Sequence, residues 1–172
     1  HRRQRLAQVG VVGGDDLAIR SLLDCQQYFD PLGEAEAAGI SPATWPLFGQ
    51  VWPSARKLAD LMQFRELGGR RILEIGCGLA LASLVVHRRL GNVTATDCHP
   101  LASGFLSANL ALNHLPELKY ETGNWARSNP LLGEFDLDYA NLTDLGWTAI
   151  GPEWRGAYLP ATRERFEQGL LK

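Results

Sequence analysis

The sequence predicts an α/β protein built on a doubly wound, mostly parallel sheet, with a small β ribbon in front of it. An apolar strand pattern at residues 72–75 passes through a glycine turn into an apolar helix pattern. About twenty residues after that turn, a second strand pattern at residues 92–97 ends in an acid. Helix and strand patterns keep alternating as far as residue 137, which is typical of βαβ units and a parallel sheet.

The first forty residues predict the ribbon. Residues 1–5 are basic and polar, and we expect them to be frayed. Residues 9–12 and 17–23 are short β-like runs on either side of a Gly-Gly-Asp-Asp turn. Residues 35–38 fit either a short helix or a loop. We assign residues 1–40 to an N-terminal extension with short strands.

Residues 44–53 hold two Trp-Pro pairs and a Phe, so they do not form one long helix, because proline moves its predecessor out of the α region. Pro53 suits the first position of a helix, and apolar residues at helical spacing follow as far as Met62. Trp52 has two interpretations. It either packs at the entrance of this helix or forms an aromatic wall of a ligand pocket.

The glycine turn and the acid after the second strand predict a ligand site. Gly76 and Gly78 lack Cβ, so the backbone can turn tightly and let a ligand lie against it. The N–H groups of the following helical turn have no intrahelical partners. Asp97, at the carboxyl edge of a parallel sheet, can accept both hydroxyl hydrogens of a ribose. We therefore expect a cofactor that contains adenosine.

The residues around the turn narrow the choice of cofactor. A dinucleotide site has a third glycine in G-x-G-x-x-G, and Leu81 occupies that position here. Glu74 lies two residues before the first glycine, where it would repel a pyrophosphate but suit an ammonium and a cationic sulfur. A nicotinamide-dependent oxidoreductase is thus disfavoured. An ordinary buried strand-turn-helix remains the structural alternative.

The rest of the chain predicts how the sheet is wound. Pro100 opens another helix, which Asn113 stops. Residues 118–121 and 135–137 predict the third and fourth strands. Right-handed crossovers would order the four strands 3-2-1-4, with ligand above strands 1 and 4 where the winding reverses.

Composition excludes several classes of protein. With 172 residues, 45% hydrophobic and 21% charged, the chain fits one ordinary globular domain. A net charge of −2 gives no basic footprint for nucleic acid, and no apolar run reaches the length needed to cross a membrane. The three cysteines are odd in number and lack C-x-x-C spacing, which predicts reduced thiols, a cytoplasmic location and no metal site.

Four stretches together resemble the family 16 methyltransferases, a seven-β-strand, Rossmann-like group that includes protein lysine methyltransferases and predicted nicotinamide N-methylases. They are GQVWPS at residues 49–54, LEIGCG at residues 73–78, Thr96-Asp97 and Asn124-Trp125. The resemblance implies S-adenosyl-L-methionine as cofactor and N-methylation of a protein lysine or a small-molecule nitrogen. With the cysteines of the two cofactor loops and one aligned alanine, the predicted cofactor-binding residues are Trp52, Glu74, Gly76, Cys77, Gly78, Asp97, Cys98, Asn124, Trp125 and Ala140.

The resemblance ends after residue 137. In the family, the fourth strand leads to an acid that helps to hold the methyl acceptor, and ungapped alignment puts Leu142 at that position. The acids nearby are Asp136, Asp138 and Asp144, and these are the candidates for a catalytic role.

Residues 41–137 are therefore assigned to a core that binds S-adenosylmethionine, and residues 138–172 to a divergent tail. That tail is too short for the family's three further strands and their helices, so we expect a truncated or rearranged member. A sheet that stops at strand 4 would expose an apolar edge and favour self-association. The alternative function is a non-catalytic cofactor-binding or interaction fragment.

Overall fold

The computed structural model describes residues 3–123, 132–142 and 146–150. The strands are β1 (Gln4–Val9), β2 (Leu17–Leu22), β3 (Arg71–Ile75), β4 (Asn92–Asp97), β5 (Lys119–Thr122), β6 (Leu137–Leu142) and β7 (Gly146–Ile150). The helices are α1 (Glu34–Ala37), the 3-10 helix Trp45–Gly49, α2 (Pro53–Phe64), α3 (Leu81–Arg88) and α4 (Ala102–Leu112).

Five strands form one sheet in the order β5-β4-β3-β6-β7. The first four run parallel, so their order confirms the predicted 3-2-1-4 arrangement and the Rossmann-like, doubly wound fold class. β7 was not predicted, and it runs antiparallel to β6, from the pair Asp138 and Ile150 to the pair Leu142 and Gly146. The fourth strand therefore does not have the open edge that was predicted, because β7 pairs with it. Self-association through an edge of the sheet stays a prediction.

The sheet also continues beyond residue 137, where the sequence placed the start of the tail. β6 reaches Leu142, and β7 adds residues from the same segment. Residues 151–172 lie outside the described part of the chain.

A small N-terminal ribbon is present as predicted, and it is formed by the antiparallel strands β1 and β2. The position of its first strand was predicted wrongly, because β1 covers Gln4–Val9 and shares only Val9 with the predicted run at residues 9–12. Its first strand starts earlier than expected, because Gln4 and Arg5 pair with Leu22 and Ser21 instead of fraying. This strand could not be predicted from the sequence pattern, because nearly all of its side chains are exposed and apolar and polar residues do not alternate along it.

Two asparagines, one in α4 and one directly after it, form hydrogen bonds with the edge of β2 that does not face β1. Asn109 Oδ1 accepts a hydrogen bond from the Arg20 N–H at 2.7 Å. Asn113 Oδ1 accepts one from the Ala18 N–H at 2.9 Å, and its Nδ2 donates to the Ala18 carbonyl at 2.8 Å. The hairpin is thus attached to the main domain through side chains that replace a neighbouring strand.

Helices α2 and α3 pack together beside the sheet. The stripe predicted for α2 is confirmed, since Leu58, Ala59 and Met62 are all buried. α3 buries residues on nearly all sides, as expected of a helix at the centre of a doubly wound fold. No helix in the described ranges has the length and hydrophobicity needed to span a bilayer.

Candidate functional site

A cleft of about 410 Å³ opens at the carboxyl ends of β3 and β4. Residues 76–81 supply the turn at one side, and residues 97–99 follow β4 at the other. The third part of the wall comes from residues 38–55, which run from the end of α1 to the start of α2. The cleft therefore lies at the edge of the sheet where the sequence predicted a ligand.

Both glycines of the turn have a left-handed backbone, but they differ in the space around the missing Cβ. Gly76 and Gly78 have φ angles of 62° and 53°, in the left-handed region that favours glycine. A Cβ on Gly78 would lie 2.8 Å from the Phe48 carbonyl oxygen, so packing excludes a side chain there. A Cβ on Gly76 would meet no atom within 4 Å. Gly76 therefore leaves open space on the cleft side of the turn.

Asp97 lies directly beside the turn. Its Oδ2 accepts a hydrogen bond from the Gly78 N–H at 2.8 Å, and its Oδ1 accepts one from the His99 N–H at 2.8 Å. Burial raises the pKa of Asp97, while these backbone bonds act in the opposite direction. A carboxylate has about four acceptor sites, so two remain for hydroxyl groups of a ligand.

Glu74 faces a helix and not the cleft. Its Oε2 accepts a hydrogen bond from the Ser83 N–H at 2.8 Å and another from the Ser83 hydroxyl. The carboxyl group thus satisfies an N–H of the first turn of α3 and is 3% exposed. Burial raises its pKa to about 7, with a smaller contribution from the nearby Asp97. Glu74 is not among the described residues that line the cleft, so its contact with a cofactor stays a prediction.

Trp52 lies both at the entrance of α2 and in the wall of the cleft. Its indole Nε1 donates a hydrogen bond to the Leu47 carbonyl at 2.8 Å, which fixes the approach to α2. The same residue lines the cleft.

Sequence reasoning missed an aromatic pair in the wall. The Phe48 ring stacks on the His99 ring with centroids 3.8 Å apart and planes 19° from parallel. Both rings are buried, and both residues line the cleft. The density of aromatic residues at 44–53 was the available signal for Phe48, and the place of His99 right after the cofactor loop was the signal for His99.

Both cysteines of the predicted site line the cleft. Burial is the main cause that raises the pKa of each thiol, Cys77 more strongly than Cys98, and nearby Asp97 adds to it. They are therefore neutral thiols at pH 7, which agrees with a role as small apolar wall residues.

The structure does not describe the side chains of five other predicted residues. The backbones of Asp138 and Ala140 pair with Leu73 and Ile75, while their side chains lie outside the described part of the structure. Asn124, Trp125 and Asp144 also lie outside the described residues.

Asp136 is at the wrong end of the sheet for catalysis in this cleft. Its Oδ2 accepts a hydrogen bond from the Arg71 N–H at 2.8 Å, and its own N–H donates to the Arg71 carbonyl. Arg71 begins β3, so this contact lies at the amino edge, whereas the cleft is at the carboxyl edge. The suggestion that Asp136 is catalytic is thus corrected.

No protein-family model and no curated protein matches the chain. Solved structures similar to it include the Pyrococcus abyssi tRNA (uracil-54, C5)-methyltransferase in complex with S-adenosyl-L-homocysteine, with a TM-score of 0.45 and 15% identity over 77% of this chain. Another is the ribosomal protein L11 methylase of Lactobacillus delbrueckii subsp. bulgaricus, with a TM-score of 0.42 and 19% identity over 66% of this chain. A third is the amino pentose methyltransferase CalS10 of Micromonospora echinaspora, with a TM-score of 0.41 and 20% identity over 69% of this chain. The chain spans 27%, 57% and 44% of these three proteins. Similarities of this size do not assign a function, which rests on the residues of the cleft.

Proposed function

We propose that the chain is an S-adenosylmethionine-dependent methyltransferase. One observation carries this proposal: the Asp97 carboxylate accepts a hydrogen bond from Gly78 of the glycine turn at 2.8 Å, on the wall of one cleft. An acid at the end of the second parallel strand, beside a glycine turn at the end of the first, is the arrangement that holds an adenosine ribose.

The charge of the cleft supports this cofactor over a dinucleotide. Asp97 is the only acid among the described residues that line the cleft, and no Lys or Arg is found among them. A pyrophosphate would have no cation to meet there, and Leu81 stands where a dinucleotide site needs glycine. A cofactor that carries net positive charge suits such a wall better.

The residues present fit the cofactor. Asp97 would hold the ribose hydroxyls, Gly76 would leave room for the chain of the cofactor, and Phe48 and Trp52 would give it apolar walls. When bound, S-adenosylmethionine supplies a methyl group on a cationic sulfur. The protein residues would bind and orient it.

The acceptor that we propose is a nitrogen, either of a protein lysine or of a small molecule. This follows the resemblance to family 16, which rests on the Trp-Pro-Ser box before the glycine turn. Trp52 of that box lines the cleft, which supports this resemblance.

Calorimetric titration of the purified chain with S-adenosylmethionine tests the proposal, with NAD as the competing cofactor. We expect S-adenosylmethionine to bind and NAD to bind much more weakly. Transfer of labelled methyl groups to amines or to proteins of a cell lysate would then establish catalysis. Tighter binding of NAD would refute the assignment.

A cofactor-binding module without catalysis is the second candidate, and one observation favours it. Within the described residues, the cleft has no carboxylate other than Asp97, and that group is already bonded to two backbone N–H groups. Tight binding of S-adenosylmethionine without transfer to any acceptor would favour the module.

A further inference from the structure

A second recess, of about 500 Å³, adjoins the cleft. Gly39 and Ile40 line both cavities, so the two cavities are adjacent. A molecule in the recess would therefore be a neighbour of whatever occupies the cleft.

Two aromatic residues stand in the wall of the recess. Trp45 is buried, and its ring is held edge-on by Phe48 at 5.9 Å and by His99 at 5.1 Å between centroids. Tyr28 is 56% exposed and lines the same recess. Trp45 is thus held in place by two residues that also line the cleft, whereas Tyr28 is open to solvent.

The charged residues of the recess are both acids. Asp30 and Glu36 line it, and the described lining residues include no Lys or Arg. Asp30 is fixed in place because its Oδ2 accepts hydrogen bonds from the Ala35 and Glu36 N–H groups at 2.9 and 3.0 Å. The Glu36 carboxylate has no such restraint among the described hydrogen bonds. An anion would be repelled from this recess and a cation attracted.

We propose that the recess binds the methyl acceptor in its alkylammonium form. An ammonium has no lone pair, so this nitrogen would lose its proton to water before it could take a methyl group. Aromatic faces and carboxylates together are the surroundings that ammonium groups with apolar substituents prefer, since the ring quadrupole attracts the cation and the methylene groups contact the rings. The inference rests on the proposed function for its identification of the ligand as an acceptor. Its physical content, an ammonium site beside the cleft, stands on Tyr28, Trp45 and Glu36 alone.

The first test is an NMR titration of the full chain with choline and with its neutral isostere 3,3-dimethylbutan-1-ol. We expect choline to shift the Trp45 indole N–H and amide signals of residues 28–45, and the isostere to bind at least about fivefold more weakly. A peptide with one central lysine and its Nε-acetylated form give a second arm. Tighter binding of the lysine peptide than of choline would identify a protein acceptor, and the reverse order a small amine.

Two variants show whether the contacts are the proposed ones. We expect Tyr28→Ala and Glu36→Gln each to weaken ammonium binding by about two- to fivefold, while the exposed control Glu117→Gln leaves it unchanged. Calorimetry of the same proteins with S-adenosylmethionine should give equal affinities. Equal binding of choline and its isostere, or equal binding by all variants, would overturn the proposal.

The outcomes separate this inference from the proposed function. A chain that binds S-adenosylmethionine but no ammonium probe refutes the recess alone. A chain that binds ammonium probes at residues 28–45 but not S-adenosylmethionine supports the ammonium site and refutes the methyltransferase.

Discussion

Replacing Glu74 with Gln should make the protein more stable at neutral and alkaline pH. Glu74 is buried at the start of α3, and burial raises its pKa from 4.5 to about 7. The folded chain thus keeps a proton that the unfolded chain has already lost between these values. As far as Glu74 determines it, the free energy of unfolding is therefore highest below pH 4.5 and falls as the pH rises toward 7.

The size of this effect follows from the two pKa values. A difference of one in pKa corresponds to about 1.4 kcal/mol, so the change from 4.5 to about 7 corresponds to about 3 kcal/mol. Gln has the same shape, stays neutral, and its side-chain oxygen still accepts hydrogen bonds from Ser83. We expect Glu74→Gln to match the wild type within about 1 kcal/mol at pH 4 and to exceed it by about 3 kcal/mol at pH 8.

Urea denaturation of the cofactor-free protein at pH values from 4 to 8 measures this difference. Asp97 is present in both proteins, so it affects the comparison only through its charge interaction with Glu74. The exposed Glu66→Gln variant controls for the loss of one negative charge. If the unfolding free energies of wild type and Glu74→Gln run parallel across this range, the carboxyl is not held in an environment that disfavours its charge.

Four further substitutions have defined outcomes. Gly78→Ala should lower the free energy of unfolding by about 2–3 kcal/mol, because its Cβ would meet a backbone carbonyl. Gly76→Ala should lower it by about 1–2 kcal/mol and mainly weaken binding of S-adenosylmethionine. Denaturation measures the first effect and calorimetry the second, and equal stability of the two variants would contradict the contact at Gly78. Asp97→Asn should weaken that binding at least about tenfold, because its amide group faces a backbone N–H, and unchanged affinity would remove Asp97 from the site. Asn109→Ala should cost about 1–3 kcal/mol and speed hydrogen exchange in the hairpin, while the exposed Ser107→Ala should do neither.

The sequence predicted those parts of the site that follow from chain topology. Gly76 directly follows β3 and Asp97 ends β4, and adjacent parallel strands bring their carboxyl ends to the same edge. Short-range patterns therefore sufficed to predict that the turn and the acid meet. The same holds for α2, whose start at Pro53 is fixed by the chemistry of proline.

Contacts between distant segments were not predictable in this way. Glu74 has the position expected of a cofactor-binding acid, but Ser83 on the next helix captures it. Phe48 and His99 belong to segments with no pattern in common, and only the packing of the 3-10 helix against the end of β4 joins their rings. β7 was missed because, among the described strands, it pairs with β6 alone, and this pairing depends on the folded sheet.

The asparagine pair of α4 has one more effect, which concerns how the hairpin is positioned along the helix. Four residues of helix advance about 6.0 Å and two residues of strand about 6.8 Å, so side chains at i and i+4 coincide with every second peptide group of β2. Alternate peptide groups point to opposite edges of a strand, and a slip of one residue would turn both away from Asn109 and Asn113. The two asparagines thus oppose a shift of the ribbon by one residue along the helix.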